Sequence, residues 1–526
     1  MMTIGDLLRD TARRIPEHEA LVWEGERISW RELNRSVNRL ANGLLMHGIR
    51  PGDRIAFIAG NSADTVRLYY AIAKAGCVAV PVMARSVARE IRHIVDDVGA
   101  SALFADADQS ASVLEALPHL ASVHLTVGMG AGHGLPHDLT DLTGSGDEQE
   151  PSVAVAPDSP YAIQYTSGTT GAPKGCVLRH DAKVLSRLSM LAHVPYAEDD
   201  RALLFMPLTA SLGADMLHTH VLRGMTTVLL PRFDPARILG ALADERISVL
   251  YAMESTFDRL LDHPDLRAVD WSGLRYLFAT SATRDLSAGM ATLHTLRGFR
   301  ARVWTGFGCT EGGGWLTFLG GDVGAGGEEE GEVASHPRSV GRACLLADVS
   351  CVDEEGHPVP DGETGELVLS SPWLFAGYWG QPERTAEVLR DGRYFTGDLA
   401  RRDEHGYLHL VGRMKDMIKT GGLNVYPIEI EQILLAHPSV REAAVIGVPD
   451  PQWGEKVVAC VIGEEGCDRQ VLLDHCRTQL AGYKVPKAVT LMDDFPRDPV
   501  GKILKRQLRD RLAEQVSAVP RDEDPA

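Results

Sequence analysis

One short run of the chain, residues 166–175, combines the residue types that bind a polyphosphate. Its glycines let backbone N–H groups approach phosphate oxygens, its hydroxyls donate hydrogen bonds, and Lys174 supplies positive charge. The run is not a Walker A loop, because Lys174 is followed by Gly175 and not by Ser or Thr. Taken alone, the same composition is also typical of a flexible surface loop. The candidate phosphate-binding residues are Thr166, Ser167, Gly168, Thr169, Thr170, Gly171 and Lys174.

A second stretch, residues 305–311, brings an aromatic ring, a hydroxyl and a carboxylate together in the sequence. The ring of Phe307 offers a stacking face, and Thr310 offers a hydroxyl group. The carboxylate of Glu311 is a hard oxygen ligand of the kind that Mg²⁺ prefers. Taken alone, Thr-Glu after a glycine is also an ordinary strand-to-turn junction.

Charged residues beside glycines recur in the second half of the chain. Asp398 follows Gly397, where the simpler interpretation is a turn aspartate. Residues 412–431 carry Arg413, Lys415 and a Gly-Gly pair, and Lys502 follows a glycine near the end of the chain. Lys502 alone would be one more charge on a basic helical face, which also contains Lys505, Arg506 and Arg509.

These stretches, in this order and spacing, resemble the motifs of the adenylate-forming superfamily, which includes acyl-CoA ligases, peptide-synthetase adenylation domains and luciferases. The resemblance covers about residues 5–510 and is closest in overall pattern to the acyl-CoA ligases. It implies that Phe307 lies against adenine, Thr310 contacts the α-phosphate and Glu311 binds Mg²⁺. It further implies that Asp398 holds both ribose hydroxyls and that Arg413 reaches the ribose.

The resemblance also implies a reaction in two steps. A carboxylate oxygen attacks the α-phosphate of ATP and gives an acyl-adenylate and pyrophosphate, and a thiol, most simply that of CoA, then takes the acyl group. Lys502, Thr310, Glu311 and Lys174 are the expected catalytic residues of the first step. For the second step, the small domain would rotate about Lys415 and bring Gly421 and Gly422 to the border of the pantetheine tunnel.

The fold class follows from the alternation of helix-like and strand-like runs, which is typical of a layered α/β protein with parallel strands. Residues 340–411 contain short alternating runs and turn dipeptides that predict a β-rich subdomain. The pattern changes near Gly412. We therefore predict a large N-terminal domain over residues 1–412, a hinge over 413–416, and a small mobile α+β C-terminal domain over 417–526 that carries the catalytic lysine.

Bulk composition narrows the possible partners and compartments. The chain has 526 residues and a formal net charge of −19, which argues against nucleic acid or an anionic membrane as a partner. Its eight cysteines form no C-x-x-C pair, so neither a zinc site nor a redox dithiol is indicated. The sequence shows neither a signal-peptide pattern nor an apolar run of roughly 18 residues, and a cytoplasmic protein is predicted. The oligomeric state stays open.

The acid-binding region departs from the superfamily pattern in three places. After Pro207-Leu208, acyl-CoA ligases carry an aromatic residue and a gating His, and peptide-synthetase domains carry an Asp; neither is present here. Glu254 stands where relatives have Pro. The segment that contains Ser281 stands where relatives have a segment similar to Gly-Ala-Ala-Pro. We expect a pocket more polar than a fatty-acid tunnel; the alternative is sequence drift with Glu254 facing solvent. The candidate pocket residues are Thr209, Ala210, Ser211, Gly213, Glu254 and Ser281.

These observations leave several functions open. The first is an acid–thiol ligase that uses ATP, Mg²⁺ and CoA on a small or aromatic polar acid. The second is an ATP-dependent diazotase that activates nitrite and transfers it to an aryl amine, which the missing His and the carboxylate at Glu254 would suit. The third is a stand-alone adenylation enzyme that loads a carrier protein, and the last is a binding or scaffold protein with an inactive site. The expected partners are therefore a small-molecule acid and CoA, an acceptor amine or a carrier protein.

Overall fold

The computed structural model describes residues 2–166, 173–280, 287–321, 332–336, 338–497 and 503–517. Its helices are α1 (Ile4–Arg14), α2 (Trp30–Met46), α3 (Ala63–Lys74), α4 (Ala88–Val98), α5 (Ser110–Ala116), α6 (Leu139–Ser145), α7 (His180–His193), α8 (Ser211–Arg223), α9 (Pro235–Asp244), α10 (Glu254–Leu261), α11 (Ser287–His294), α12 (Glu332–Ser335), α13 (Pro382–Val388), α14 (Pro427–Leu435), α15 (Arg469–Gln479) and α16 (Lys505–Ser517).

The strands of the described residues are β1 (Glu19–Trp23), β2 (Glu26–Ser29), β3 (Arg54–Ile58), β4 (Val78–Val82), β5 (Ala102–Asp106), β6 (Leu125–Met129), β7 (His137–Asp138), β8 (Pro160–Thr166), β9 (Lys174–Arg179), β10 (Arg201–Leu204), β11 (Thr226–Leu229), β12 (Val249–Met253), β13 (Tyr276–Thr280), β14 (Arg302–Thr305), β15 (Gly308–Cys309), β16 (Gly314–Trp315), β17 (Thr317–Gly321), β18 (Arg342–Ala343), β19 (Asp348–Val352), β20 (Thr364–Ser370), β21 (Leu389–Arg390), β22 (Arg393–Arg402), β23 (Leu408–Arg413), β24 (Ile418–Thr420), β25 (Leu423–Val425), β26 (Val440–Asp450), β27 (Gly454–Gly463) and β28 (Ala488–Leu491).

Two large and mostly parallel sheets form the framework of the protein. The first has the strand order β18-β17-β14-β13-β12-β10-β11-β1-β2, and the second has the order β7-β6-β5-β3-β4-β8-β9. One apolar core joins both sheets through α1, α2, α3, α7 and α8, and a second core fills the other face of the second sheet under α4 and α5. These layers of helix on sheet confirm the predicted α/β class.

The carboxyl ends of the parallel strands of both sheets meet at one place. Asn61, which follows β3, donates to the carbonyls of Met206 and Leu230, which follow β10 and β11. Gln164 of β8 donates to the carbonyl of Thr209. Ligands of open α/β sheets bind beyond the carboxyl ends of the strands, and the predicted site stretches follow β8, β10, β12, β13 and β14.

The described residues that follow β18 form two smaller sheets, and β15 and β16 pair as a separate two-stranded sheet. One has the order β19-β20-β22-β21 with β23 on β22, which confirms the predicted β-rich subdomain. The other has the order β25-β24-β27-β26 with β28 on β27, and its two faces are covered by α14 and α15 on one side and α16 on the other. This confirms a small α+β unit after the hinge stretch.

Local sequence explains where several helices begin. Ser29 and Glu32 form a capping box at the start of α2, and the Ser62 side chain accepts a hydrogen bond from Thr65 N–H at the start of α3. Residues 128–150 are rich in Gly, Asp and Ser, a composition typical of a surface loop, but this stretch includes β7 and α6. Leu142 of α6 is fully buried in the main core, and its carbonyl lies against Gly43 of α2.

Among the described residues, no helix combines the length and the apolar character that crossing a membrane requires.

Candidate active site

The predicted phosphate-binding run connects two antiparallel strands. Thr166 at the end of β8 is the register partner of Lys174 at the start of β9. Ser167, Gly168, Thr169, Thr170 and Gly171 lie between them, outside the described residues. The Tyr165 hydroxyl donates to Asp97 of α4 and anchors β8 next to the run.

Lys174, Tyr378 and Glu311 come together in front of this hairpin. The Lys174 ammonium lies 4.7 Å from the centroid of the Tyr378 ring. The Tyr378 hydroxyl donates to Oε1 of Glu311 over 3.1 Å. Burial, and then the Glu311 carboxylate, raise the pKa of Tyr378, so the phenol stays protonated and remains a donor. Two residues that lie far apart in the sequence, one cationic and one anionic, are thus connected through one aromatic side chain.

Tyr378 belongs to a segment that we call the closing segment, residues 373–379. Its backbone pairs with β9, since Ala376 N–H donates to the Val177 carbonyl and Val177 N–H donates to the Gly377 carbonyl. At its other end, Phe375 N–H donates to the carbonyl of Glu311. The closing segment therefore fixes Lys174 and Glu311 relative to each other. Sequence reasoning missed Tyr378, since no charge or motif marked it.

The stretch around Glu311 follows β14 and turns back through two glycines. Phe307 N–H donates to Thr317 Oγ1, and Gly313 N–H donates to the Thr310 carbonyl. Gly313 and Gly314 have φ angles of 72° and 136°, in the region that favours glycine. Phe307, Thr310 and Glu311 are all half-buried. Their side chains are thus partly accessible, as the binding of a nucleotide requires.

Two cysteine thiols lie beside Glu311. Burial, followed by the Glu311 carboxylate, raises the pKa of both Cys176 and Cys309. Both thiols therefore remain protonated and are poor nucleophiles.

The two residues predicted to bind the ribose lie in contact with each other. Asp398 of β22 and Arg413 of β23 are register partners, and Arg413 Nε lies 2.6 Å from Asp398 Oδ1. Burial alone would lower the pKa of Arg413, but the charge and hydrogen bond of Asp398 outweigh it and raise the pKa. Asp398 is only 8% exposed, so its carboxylate is held in a fixed direction.

The acid-side candidates are arranged mainly by backbone contacts. Thr209 is fully buried, and Ala210 and Ser211 at the start of α8 are half-buried. A Cβ at Gly213 would lie 2.2 Å from the Pro207 carbonyl oxygen, which explains the glycine by packing. Glu254 is the first residue of α10, and its side chain, like Ser281, lies outside what the structure describes.

The hinge and tunnel candidates lie where the small sheet begins. Lys415 is the middle residue of a 3₁₀ turn, Met414–Asp416. Gly421 and Gly422 have φ angles of 56° and 80° at the tip of the β24–β25 hairpin, as a tight turn requires. Lys502 lies outside the described residues.

The helix that follows Lys502 in the sequence carries the other members of the predicted basic face. Lys505 of α16 lies 2.7 Å from Glu431, and Arg509 lies 3.0 Å from Asp416. These two members of the predicted basic face are therefore paired with carboxylates, one on α14 and one at the end of the predicted hinge. For these two residues the face is a structural contact of α16.

The residues present fit ATP with Mg²⁺. Glu311 offers a carboxylate that is half-buried, and Mg²⁺ commonly binds proteins through one or two carboxylates together with substrate phosphates. In the described part of the chain, no group of three or more His, Cys, Asp or Glu residues could hold a metal ion by itself.

Comparison with known proteins agrees with this geometry. Residues 8–379 match the AMP-binding enzyme family, and residues 429–502 match the AMP-binding enzyme C-terminal domain. The chain is 38% identical to a feruloyl-CoA synthase of an Amycolatopsis species, over 95% of this chain and 97% of that one. It is 32% identical to a fatty acid–[acyl-carrier-protein] ligase of Streptomyces coeruleorubidus, over 95% of each.

A solved structure has the same fold along nearly its whole length. The anthranilate CoA ligase in complex with anthranoyl-AMP superposes with a TM-score of 0.88 at 25% identity and covers 98% of both chains. The family matches span both the large unit and the small sheet unit. The chain therefore belongs to the AMP-binding, adenylate-forming enzyme family and is an AMP-forming acid ligase of that family.

Proposed function

We propose that the protein activates a small or aromatic polar carboxylic acid with ATP and transfers the acyl group to CoA. The observation that carries the proposal is the meeting of Lys174, Tyr378 and Glu311 beside the phosphate-binding run. The names of two relatives support an aromatic acid, because feruloyl-CoA synthase and anthranilate CoA ligase are named for such acids, while other relatives are named for fatty acids.

In the first step, an oxygen of the acid attacks the α-phosphorus of ATP, and the bond to pyrophosphate breaks. Charge develops around phosphorus, so fixed cations and donors stabilise the transition state. We assign this role to Lys174, Thr310 and Lys502, while Glu311 would hold Mg²⁺, which neutralises phosphate charge. Asp398 and Arg413 would hold the ribose, and Phe307 would lie against the base.

In the second step, the CoA thiol attacks the acyl carbon and AMP leaves. We also propose that the large and small domains are divided at residues 413–416 and that Lys415 is the hinge residue. The support for this division is that Arg509 of α16 binds Asp416, so the end of the hinge is attached to the small sheet unit. Lys415→Pro restricts φ at this position and is expected to slow transfer while adenylation continues. Equal loss of both steps would contradict the hinge assignment.

Pyrophosphate exchange tests the first step most directly. Wild-type protein is incubated with ATP, Mg²⁺, labelled pyrophosphate and a panel of acids that includes ferulate, anthranilate, a fatty acid and nitrite. We expect exchange with an aromatic acid and then AMP release that depends on CoA. Exchange with no acid would overturn the proposal and favour a binding protein with an inactive site.

A second candidate is favoured by one position. Ala210 stands at the N-cap of α8, where acyl-CoA ligases carry the gating His, and it provides no side-chain hydrogen bond. A diazotase that transfers activated nitrite to an aryl amine fits this change. AMP release that requires nitrite and an amine, and not CoA, would select it. The resemblance to the carrier-protein ligase is tested in the same assay with a holo carrier protein as the acceptor.

A further inference from the structure

Three charged side chains are buried together behind the Glu311 stretch; we call them the ion cluster. Lys183 and Arg187 lie one turn apart on α7, and Asp215 lies on α8. Lys183 Nζ lies 2.5 Å from Asp215 Oδ1, and Arg187 Nη2 lies 3.5 Å from Asp215 Oδ2. Their side chains are 1%, 0% and 3% exposed. Such a group is rare in a protein core and requires an explanation.

The ion cluster is in contact with the stretch that carries Thr310 and Glu311. Lys183 Nζ donates to the Gly313 carbonyl over 2.9 Å. A Cβ at Gly314 would lie 2.3 Å from Arg187 Nη2, and a Cβ at Gly313 would lie 1.9 Å from the Trp373 carbonyl oxygen. The two glycines are thus packed between the ion cluster on one side and the closing segment on the other.

Stability alone is a weak explanation for the ion cluster. Burial of charges carries a large desolvation cost, and apolar side chains of similar volume often replace buried ion pairs without loss of stability. This cluster also has two cations and a single anion, and Arg187 Nε has no hydrogen-bond partner in the described part of the chain. What an apolar replacement could not supply is the hydrogen bond to Gly313.

We propose that Lys183, oriented by Asp215, is a positioning residue for the adenylation step. It holds the Gly313 carbonyl, and Phe375 N–H holds the Glu311 carbonyl, so the backbone around Glu311 is fixed at two points. This inference rests on the proposed function, because it assigns Lys183 to the ATP-dependent half-reaction. Transfer from a preformed acyl-adenylate does not depend on this backbone fixation.

Lys183→Met tests the inference, since it keeps about the length of the side chain and removes the ammonium group that donates to the Gly313 carbonyl. The remaining Arg187 and Asp215 form a balanced pair, so the fold is expected to persist. Calorimetry should show binding of ATP with Mg²⁺ weakened by up to about tenfold, the upper bound that one lost charged hydrogen bond sets, and binding of adenosine unchanged. Pyrophosphate exchange should fall in parallel, while transfer from supplied acyl-adenylate to CoA continues.

Asp215→Asn is expected to affect stability more strongly than ATP binding. Lys183 keeps its donor to the Gly313 carbonyl, so ATP binding should change by less than in Lys183→Met, while two unpaired cations lower the melting temperature further. His220→Phe is a matched control, because His220 is another fully buried polar residue of α8 that hydrogen-bonds Thr227 and Tyr251. It should lower stability and leave the ratio of the two half-reactions unchanged.

Two results would overturn the inference. One is normal binding of ATP with Mg²⁺ by Lys183→Met. The other is a loss of ATP binding that is proportional to the drop in melting temperature across all three variants. A purely structural role of Lys183 predicts this proportionality. If wild-type protein shows no exchange with any acid, the proposed function fails, and the calorimetric comparison still decides the role of Lys183.

Discussion

The nucleotide half and the acid half of the candidate site are built in different ways. In the nucleotide half, charged side chains from distant parts of the chain meet, as Asp398 does with Arg413 and as Lys174 does with Glu311 through Tyr378. In the acid half, the fixed contacts run through the backbone. Gln164 donates to the Thr209 carbonyl, and Gly213 is packed on the Pro207 carbonyl.

This difference suits two different requirements: the nucleotide half must keep its charged groups in place, and the acid half can vary in shape. The nucleotide is the same for every member of the family, and its phosphates and ribose require charges at set places. The acid varies, and a pocket whose frame is made of backbone contacts accepts different side chains without losing that frame. We therefore expect substitutions in the first half to act on ATP and substitutions in the second half to act on the acid.

The largest expected effect belongs to Lys502, which lies outside the described residues. Lys502→Ala is expected to slow adenylate formation about 10²–10³-fold, the effect of losing one donor that stabilises transition-state charge. Pyrophosphate exchange measures this step. Transfer from chemically supplied acyl-adenylate should continue at the wild-type rate. Near-normal exchange by the variant would remove Lys502 from the mechanism.

The next effect concerns Asp398. Asp398→Asn leaves an acceptor but removes the charge that faces Arg413, so we expect the KM for ATP to rise by about tenfold or more. The KM for the acid should stay constant. Asp361→Asn is a matched control, because Asp361 pairs with Arg402 of the same strand on the exposed surface. Exposed pairs contribute about 0–1 kcal/mol, so kinetic constants of the control should match the wild type. Similar changes in both variants would deny Asp398 a nucleotide role.

Gly213→Ala examines the acid half. The new Cβ would lie 2.2 Å from the Pro207 carbonyl oxygen, so the start of α8 must move. Overpacking of this kind destabilises a protein by about 1–3 kcal/mol. The KM for the acid should rise while the KM for ATP remains unchanged. Gly240→Ala in α9 is the control, since nothing lies within 4 Å of its added Cβ, and it should stabilise by about 0.5–1 kcal/mol. A rise in the KM for ATP without a rise in the KM for the acid would contradict the assignment of Gly213 to the acid half.

The smallest effect concerns the helices that support both halves. Burial lowers the pKa of His180 in α7 to about 4 and that of His220 in α8 to about 3. Since these folded-state pKa values lie below the ordinary 6.5, the unfolded chain binds more protons, and stability falls as pH decreases from 6.5 towards 4. Melting temperatures at a series of pH values measure this slope.

His180→Asn should reduce the slope, because it removes one titrating group and keeps an acceptor for Ile4 N–H. His405→Asn is the control, since His405 is 69% exposed and should leave the slope unchanged. An identical slope in the wild type and His180→Asn would show that acid sensitivity has another source.

The two halves also differed in how far the sequence could predict them. Charged residues at fixed spacing, such as Asp398 and Arg413, were recognisable from their motifs, and the structure places them in contact. The α/β layers followed from the alternation of helical and strand-like patterns, which local periodicity encodes. The assigned roles of these residues stay predictions, since no ligand contact tests them.

What the sequence did not predict depends on contacts between distant segments. Tyr378 was missed because its backbone partner in β9, Cys176, lies about 200 residues away in the sequence. Gly213 was assigned to the pocket, while its immediate constraint is the Pro207 carbonyl. Lys183, Arg187 and Asp215 carried one signal, since charges interrupt otherwise apolar helix faces, but their meeting point is a tertiary property.

The closing segment has a consequence for solubility. β9 is the last strand of its sheet, and the edge of a sheet presents unpaired N–H and C=O groups that attract strands of other molecules. Residues 376–379 bind this edge through Ala376, Gly377 and Trp379. The same backbone that fixes Tyr378 beside Lys174 thus protects the protein from edge-to-edge aggregation, so a mutation that detaches the segment would remove activity and promote aggregation together.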